Sequence, residues 1–224
     1  MPRHLSPTAP IAADALLPGD PKRAMELATA LMDAPVMSNF ARGLWGYHGT
    51  TADGLELTVQ STGIGGPSAA VVLAELAELG VRRAIRVGTC TALDPDLAAG
   101  ATIIVEAALP GDGVGSALAP GGAVAPDAKL TQSLTRAIPS GQVATVASTD
   151  LYYDADSRRR QAWHEAGAVA VELSAAALLA TGWPHGVAVA CVLLVAETAA
   201  GGRLTDETLE ASALELGERA ARAL

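Results

Sequence analysis

The run Leu55-Glu56-Leu57-Thr58-Val59-Gln60-Ser61, followed by Thr62-Gly63-Ile64-Gly65-Gly66-Pro67-Ser68, decides the fold class. Residues 55–61 read as a strand, Gly63 to Gly66 as a tight turn and Pro67 to Leu79 as a helix. Pro67 suits a first helical turn because its missing N–H would be unpaired there anyway. Gly80 ends the helix, and Arg83 to Gly88 reads as the next strand. Strand, turn, helix and strand in succession form the repeating unit of an α/β protein.

The alternation continues outward. Ala101–Ala108, Gln142–Ser148 and Ala168–Glu172 read as strands, and Pro126–Ile138, Asp154–Ala166 and Leu173–Ala180 as helices. Gly111–Pro126, rich in Gly, Pro and Ala, reads as a surface loop. Gly186–Ala196 is continuously apolar, as in a strand covered on both faces. A helix from about Thr205 to Leu224 closes the chain, with Asp206 and Glu207 at its positive end. The expectation is one α/β domain over residues 1–224, with a central mixed β-sheet flanked by helices.

Composition narrows the function. Half of the 224 residues are hydrophobic but only 3% are aromatic, so Ala, Val and Leu must fill the core. The net charge of −9 lacks the basic footprint of a nucleic-acid binder. A locally positive pocket for a small anion remains open to such a chain. Cys90 and Cys191 lie in apolar stretches without metal-ligand spacing, so two buried reduced thiols are expected and no metal site. Met1–Pro10 has no apolar signal-like core, and no apolar run reaches the ~20 residues of a membrane span. A cytoplasmic protein without a membrane partner is expected.

Three segments carry chemistry. In Pro18-Gly19-Asp20-Pro21-Lys22-Arg23, a glycine lets backbone N–H groups approach an anion and Arg23 adds a charged fork. A plain structural turn would read the same way. In Ser61–Ser68, the glycine turn before a helix is a ready anion site. Close packing of strand on helix is the equal alternative, and Ser68 at the third glycine's place breaks the dinucleotide fingerprint. In Ile85-Arg86-Val87-Gly88-Thr89-Cys90-Thr91, an arginine sits inside an apolar strand. Such an arginine needs an anionic partner, either a ligand at the strand's carboxyl end or a core carboxylate.

Together these segments resemble the nucleoside phosphorylase family, which includes bacterial purine nucleoside and uridine phosphorylases. The resemblance runs from about Leu17 to the final helix. It implies the fold of that family and cleavage of a nucleoside by inorganic phosphate, to free base and (deoxy)ribose 1-phosphate. It implies Gly19, Arg23, Arg86 and Thr89 around the phosphate, with Arg42 reaching in from a neighbouring subunit. His4 corresponds to a histidine that touches the sugar 5′-hydroxyl across the same boundary. Ile64, Leu173 and Ser174 fall beside the sugar. Tyr152, Arg158 and Glu172 fall at the base, and Glu197 at the general acid that protonates N7 of a purine. A homodimer at minimum, and by resemblance a homohexamer built as a trimer of dimers, is implied. Phosphate enters as co-substrate, with no organic cofactor.

The chemistry suits this assignment. Arginines would hold the nucleophile while the sugar becomes cationic, which is catalysis by positioning and electrostatics. A carboxylic acid that keeps its proton would relieve the leaving base.

The sequence also departs from the family. Val195-Ala196-Glu197-Thr198 has Glu where the purine branch has Asp and the uridine branch has Arg, which tilts the base toward a purine. Asp156 and Arg158 stand where the uridine branch has a Gln-x-Arg pair. STGIGGPS and Ala30–Val36 look more like uridine phosphorylase. Val171-Glu172-Leu173-Ser174 replaces the family's Glu-Met-Glu, so neutral Ser174 stands in for the glutamate that binds the sugar hydroxyls. A deoxy or modified sugar, a water-mediated ribose or a weak enzyme would each accommodate that change. Competing readings are a nucleosidase, which would lack the arginine set, a non-catalytic nucleoside or phosphate binder, and a dinucleotide-dependent oxidoreductase.

Overall fold

The structure is a computed structural model and describes residues 2–224. Strand β1 (Asp14–Pro18) leads through the Gly19-Asp20 turn into α1 (Pro21–Leu31). Asp20 caps α1 by accepting from the Arg23 N–H at 2.9 Å, and Pro21 occupies the first turn. Strands β2 (Met32–Asn39), β3 (Gly46–Thr51) and β4 (Glu56–Gln60) form an antiparallel meander. Helix α2 (Gly66–Glu78) and strand β5 (Arg83–Ala92) complete the unit that the sequence marks most clearly.

The second half comprises β6 (Thr102–Gly111), α3 (Gly113–Leu118), α4 (Ala128–Ala137), β7 (Gln142–Thr149), α5 (Ser157–Glu165), β8 (Ala170–Glu172), α6 (Ala175–Gly182), β9 (Ala188–Glu197) and α7 (Asp206–Ala221). The sheet order is β2-β3-β4-β1-β5-β8-β7-β6-β9, and β9 also pairs with β5. The fold is therefore a single α/β domain on a mixed sheet, as expected. The return of β9 to β5 closes β5, β8, β7, β6 and β9 into a ring. Its β5–β9 seam runs parallel from Arg83↔Ala188 to Thr91↔Glu197.

Two apolar layers lie about the sheet. One holds α2 and α6 through residues such as Leu73, Leu76 and Leu178; the other holds α1, α4 and α7 through Leu27, Leu134 and Leu216. Helix α6 is buried on every side, and its Ala177 lies where a side chain at Gly66 would collide. Small residues thus let α2 and α6 approach closely, which a core poor in aromatics requires. Cys90 and Cys191 are free and buried, and burial pushes both thiols up.

Three features differ from the sequence reading. Residues 111–126 are not wholly loop, because Asp112 accepts from the Gly115 N–H at 2.7 Å and starts α3 despite its glycines. Strand β5 extends past Gly88 to Ala92, where it pairs with β8. The elements before residue 55 carry little sequence signal: β2 is exposed at half of its positions and interrupted by register shifts. No helix among the described residues is long and apolar enough to cross a membrane.

Candidate active site

A cavity of about 340 Å³ opens at the carboxyl ends of the strands, where β1, β5, β7, β8 and β9 run into their following turns. Ligands of α/β sheets bind at this end because the strand-to-helix turns converge there. Gly19, Arg23, Gly63, Ile64, Arg86 and Thr89 line one part. The Thr62 N–H donates to the Pro18 carbonyl at 2.9 Å and the Gly63 N–H to the Gly19 carbonyl at 3.0 Å, so the two glycine turns are clipped together. Gly63 has φ +74°, and a side chain there would strike Ser68. At Gly19 a side chain would press on the Arg86 guanidinium at 3.3 Å.

Arg86 is 8% exposed, yet among the described residues no carboxylate pairs with it. One guanidinium nitrogen donates to the Leu17 carbonyl at 3.1 Å, and Nε has no partner. The core-carboxylate alternative for this arginine is thereby removed. Arg23 is also unpaired; burial pushes its pKa down, Asp20 opposes this, and repulsion by Arg86 adds to it. Two desolvated cations with no carboxylate bonded to either are an arrangement that an oxyanion completes.

Thr149, Leu151, Tyr152, Asp154, Arg160 and Trp163 line another part, with Glu197 and Arg203. Tyr152 is half exposed and meets Tyr153 edge to face, centroids 4.9 Å apart. Glu197 ends β9 and faces Arg203 Nε at 3.6 Å across a backbone bridge. Val171, Glu172, Leu173 and Ser174 also line the cavity. Glu172, 4% exposed, accepts from the Ser148 hydroxyl at 2.5 Å, the Ser174 N–H at 2.8 and 2.9 Å and the Ala175 N–H at 2.7 Å. Ser148 in turn accepts from the Ala176 N–H at 2.9 Å. Glu172 and Ser148 thus satisfy the first orphan donors of α6.

Of the residues singled out from the sequence, Gly19, Arg23, Ile64, Arg86, Thr89, Tyr152, Glu172, Leu173, Ser174 and Glu197 share this cavity. Arg158 does not. It is turned to solvent in a two-pronged bond to Asp156 at 2.8 and 2.9 Å, and Arg160, two residues on, lines the cavity instead. Arg42 is exposed on a 3-10 turn (Ala41–Gly43) with φ +59°, a strained conformation for a residue with a side chain. His4 lies against α2, its Nδ1 2.7 Å from Glu75, outside this chain's cavity. Sequence reasoning missed Arg160, Trp163 and Arg203. Arg203 follows a glycine pair in a loop, and only the backbone bridge to Glu197 gives it away.

No group of His, Cys, Asp and Glu suited to a metal is present among the described residues. Comparison with known proteins agrees with the geometry. Residues 14–224 match the family model described as the phosphorylase superfamily. A protein of Clostridium novyi named purine nucleoside phosphorylase DeoD-type is 32% identical over 203 residues, covering 87% of this chain and 86% of its own. Proteins of the same name from Caldanaerobacter subterraneus (32% over 202 residues, 87% of each chain) and Geobacillus kaustophilus (33% over 197 residues, 85% and 83%) are similar. With the match spanning every strand of the sheet and every cavity-lining residue, the chain belongs to the phosphorylase superfamily.

Proposed function

We propose that the protein is a purine nucleoside phosphorylase, which converts a purine nucleoside and inorganic phosphate into free base and (deoxy)ribose 1-phosphate. The observation that carries this reading is the pair of unpaired guanidiniums, Arg86 and Arg23, in the same cavity as a carboxyl group, Glu197. A nucleosidase activating water would have no use for a buried and a half-buried guanidinium with no carboxylate bonded to either.

In this reading, phosphate sits against Arg86, Arg23, Thr89 and the Gly19 turn. The guanidiniums hold it by charge-assisted bonds and aim one oxygen at the sugar's anomeric carbon. As the glycosidic bond breaks, its electron pair moves to the base, and the sugar's positive charge develops beside the phosphate dianion. Glu197 passes its proton to N7 of the departing purine, and Arg203 faces the carboxylate left behind. Tyr152 and Trp163 supply flat apolar surface for the base. The names of the similar proteins support a purine, as does a carboxyl group at residue 197. Phosphate is the co-substrate, and the chemistry calls on no organic cofactor or metal.

The active enzyme is a homodimer at minimum, and by resemblance a trimer of dimers. Arg42 and His4 do not line their own chain's cavity, which supports the reading that each serves a neighbour's. Phe40, 64% exposed, and Ile64, 85% exposed, are large apolar side chains that an interface could bury.

The test is incubation with inosine, adenosine, guanosine, uridine and their 2′-deoxy forms, with and without phosphate, followed by chromatography of free base. Purine release that requires phosphate is expected. Release without phosphate would make the protein a nucleosidase, and release of uracil alone would overturn the purine assignment.

A further inference from the structure

Ribose offers two neighbouring hydroxyls, and proteins commonly hold them with a carboxylate, the strongest acceptor available. A carboxylate of this chain that serves the sugar must line the cavity, and among the described residues four do: Asp20, Asp154, Glu172 and Glu197. Asp20 is the cap of α1, next to the phosphate arginines. Asp154 accepts from the Asp156 N–H at 2.9 Å with one oxygen and from Arg159 at 2.6 Å with the other. Glu197 faces Arg203 and is the group assigned to the base. Glu172 spends both oxygens on Ser148, Ser174 and Ala175, and moving it would strip the start of α6 of its acceptor. What remains along the cavity are neutral hydroxyls, those of Thr89, Thr91, Thr149, Tyr152 and Ser174. Ser174 is itself 1% exposed, with its Oγ turned 3.4 Å from Glu172.

We infer that the sugar site is built for 2′-deoxyribose, so that purine 2′-deoxynucleosides are the preferred substrates over ribonucleosides. The inference rests on the phosphorylase reading above. A 2′-hydroxyl brought into this cavity loses water and finds no free carboxylate of this chain; a deoxy sugar has one fewer donor to satisfy.

The experiment compares inosine with 2′-deoxyinosine in the unmodified protein, as kcat/KM for phosphate-dependent release of hypoxanthine. Inhibition by ribose 1-phosphate and by 2-deoxyribose 1-phosphate is measured alongside. The second measurement reads recognition alone, because deoxynucleosides also have the intrinsically weaker glycosidic bond. A preference for the deoxy compound of about tenfold or more in both assays is expected, the effect of one imperfectly paired buried hydroxyl. A smaller preference in the inhibition assay, or equal or better use of inosine, overturns the sugar inference and leaves the phosphorylase standing. Absence of phosphate-dependent release from either nucleoside overturns both.

Discussion

Replacing Arg86 with methionine should make the free protein more stable and the liganded protein less so. Met keeps the length and apolar stem of the side chain but removes a cation that is 8% exposed and has no carboxylate partner. It also relieves the repulsion that depresses Arg23. Against these gains stands the lost bond to the Leu17 carbonyl at 3.1 Å, which costs about 1 kcal/mol. Burial of an unpaired charge costs several kcal/mol even after relaxation; Arg86 borders an open cavity, so only part of that cost applies, and a net gain of about 1 kcal/mol is expected. For a chain of this size that raises Tm by about 2–4 °C. Phosphate at about a hundred times its Kd should add ~2.7 kcal/mol to the unmodified protein, or about 5–11 °C. It should add almost nothing to the variant. Differential scanning fluorimetry with and without phosphate reads all four states. If Arg86→Met lowers Tm and phosphate still stabilises the variant, Arg86 is a structural strut and the anion site lies elsewhere.

Three further outcomes follow from the same contacts. Glu197→Gln should lower kcat for purine nucleosides by about 10²–10⁴-fold with little change in KM, and steady-state kinetics would show whether proton donation resides there. Glu172→Gln keeps one acceptor but sets an amide donor against the N–H groups of Ser174 and Ala175. A loss of about 2–3 kcal/mol in urea unfolding is expected, and an unchanged midpoint would mean that the capping network contributes nothing. Burial would raise the Glu75 carboxyl, but bonds from the N–H groups of Leu5, Arg3 and His4 and from the His4 ring bring it down to about 2. Its folded pKa thus lies below the unfolded one. The stability it contributes, up to about 3 kcal/mol, is present above pH ~4.5 and lost as pH falls toward 2. Urea midpoints measured from pH 5 to pH 2 should fall more steeply in the unmodified protein than in Glu75→Gln.

The stretch from residue 55 to residue 88 was legible because turn chemistry punctuates it: Gly63, Gly65, Pro67 and Gly80 each have a local reason to be there. Before residue 55 that punctuation fails. Strand β2 is exposed at half of its positions and broken by register shifts, so neither alternation nor a continuous apolar run marks it. Helix α3 begins Gly-Val-Gly-Ser, a poor helical sequence, and exists because Asp112 caps it. The phosphate end of the site was legible from one anomaly, an arginine inside an apolar strand. The rest of the cavity was less so. Arg203 comes to Glu197 through a backbone bridge between loop residues, and the choice between Arg158 and Arg160 depends on which face of α5 turns inward. That Glu172 is committed to the start of α6 depends on Ser148, 24 residues earlier in the chain.

The ring closed by β9 on β5 also orders events in time. Strand β5 is made early, and its parallel partner arrives about 100 residues later. Until then β5 and β6 each present an open apolar edge, which invites pairing with another chain. Contacts so distant in sequence form slowly, because the intervening loop must be closed first. A nascent or truncated chain ending before Ala188 would therefore be prone to aggregation, while release of the last strand converts two vulnerable edges into one seam. That same closing step brings Glu197 into register with Thr91, so the chain becomes competent for catalysis only once the seam has formed.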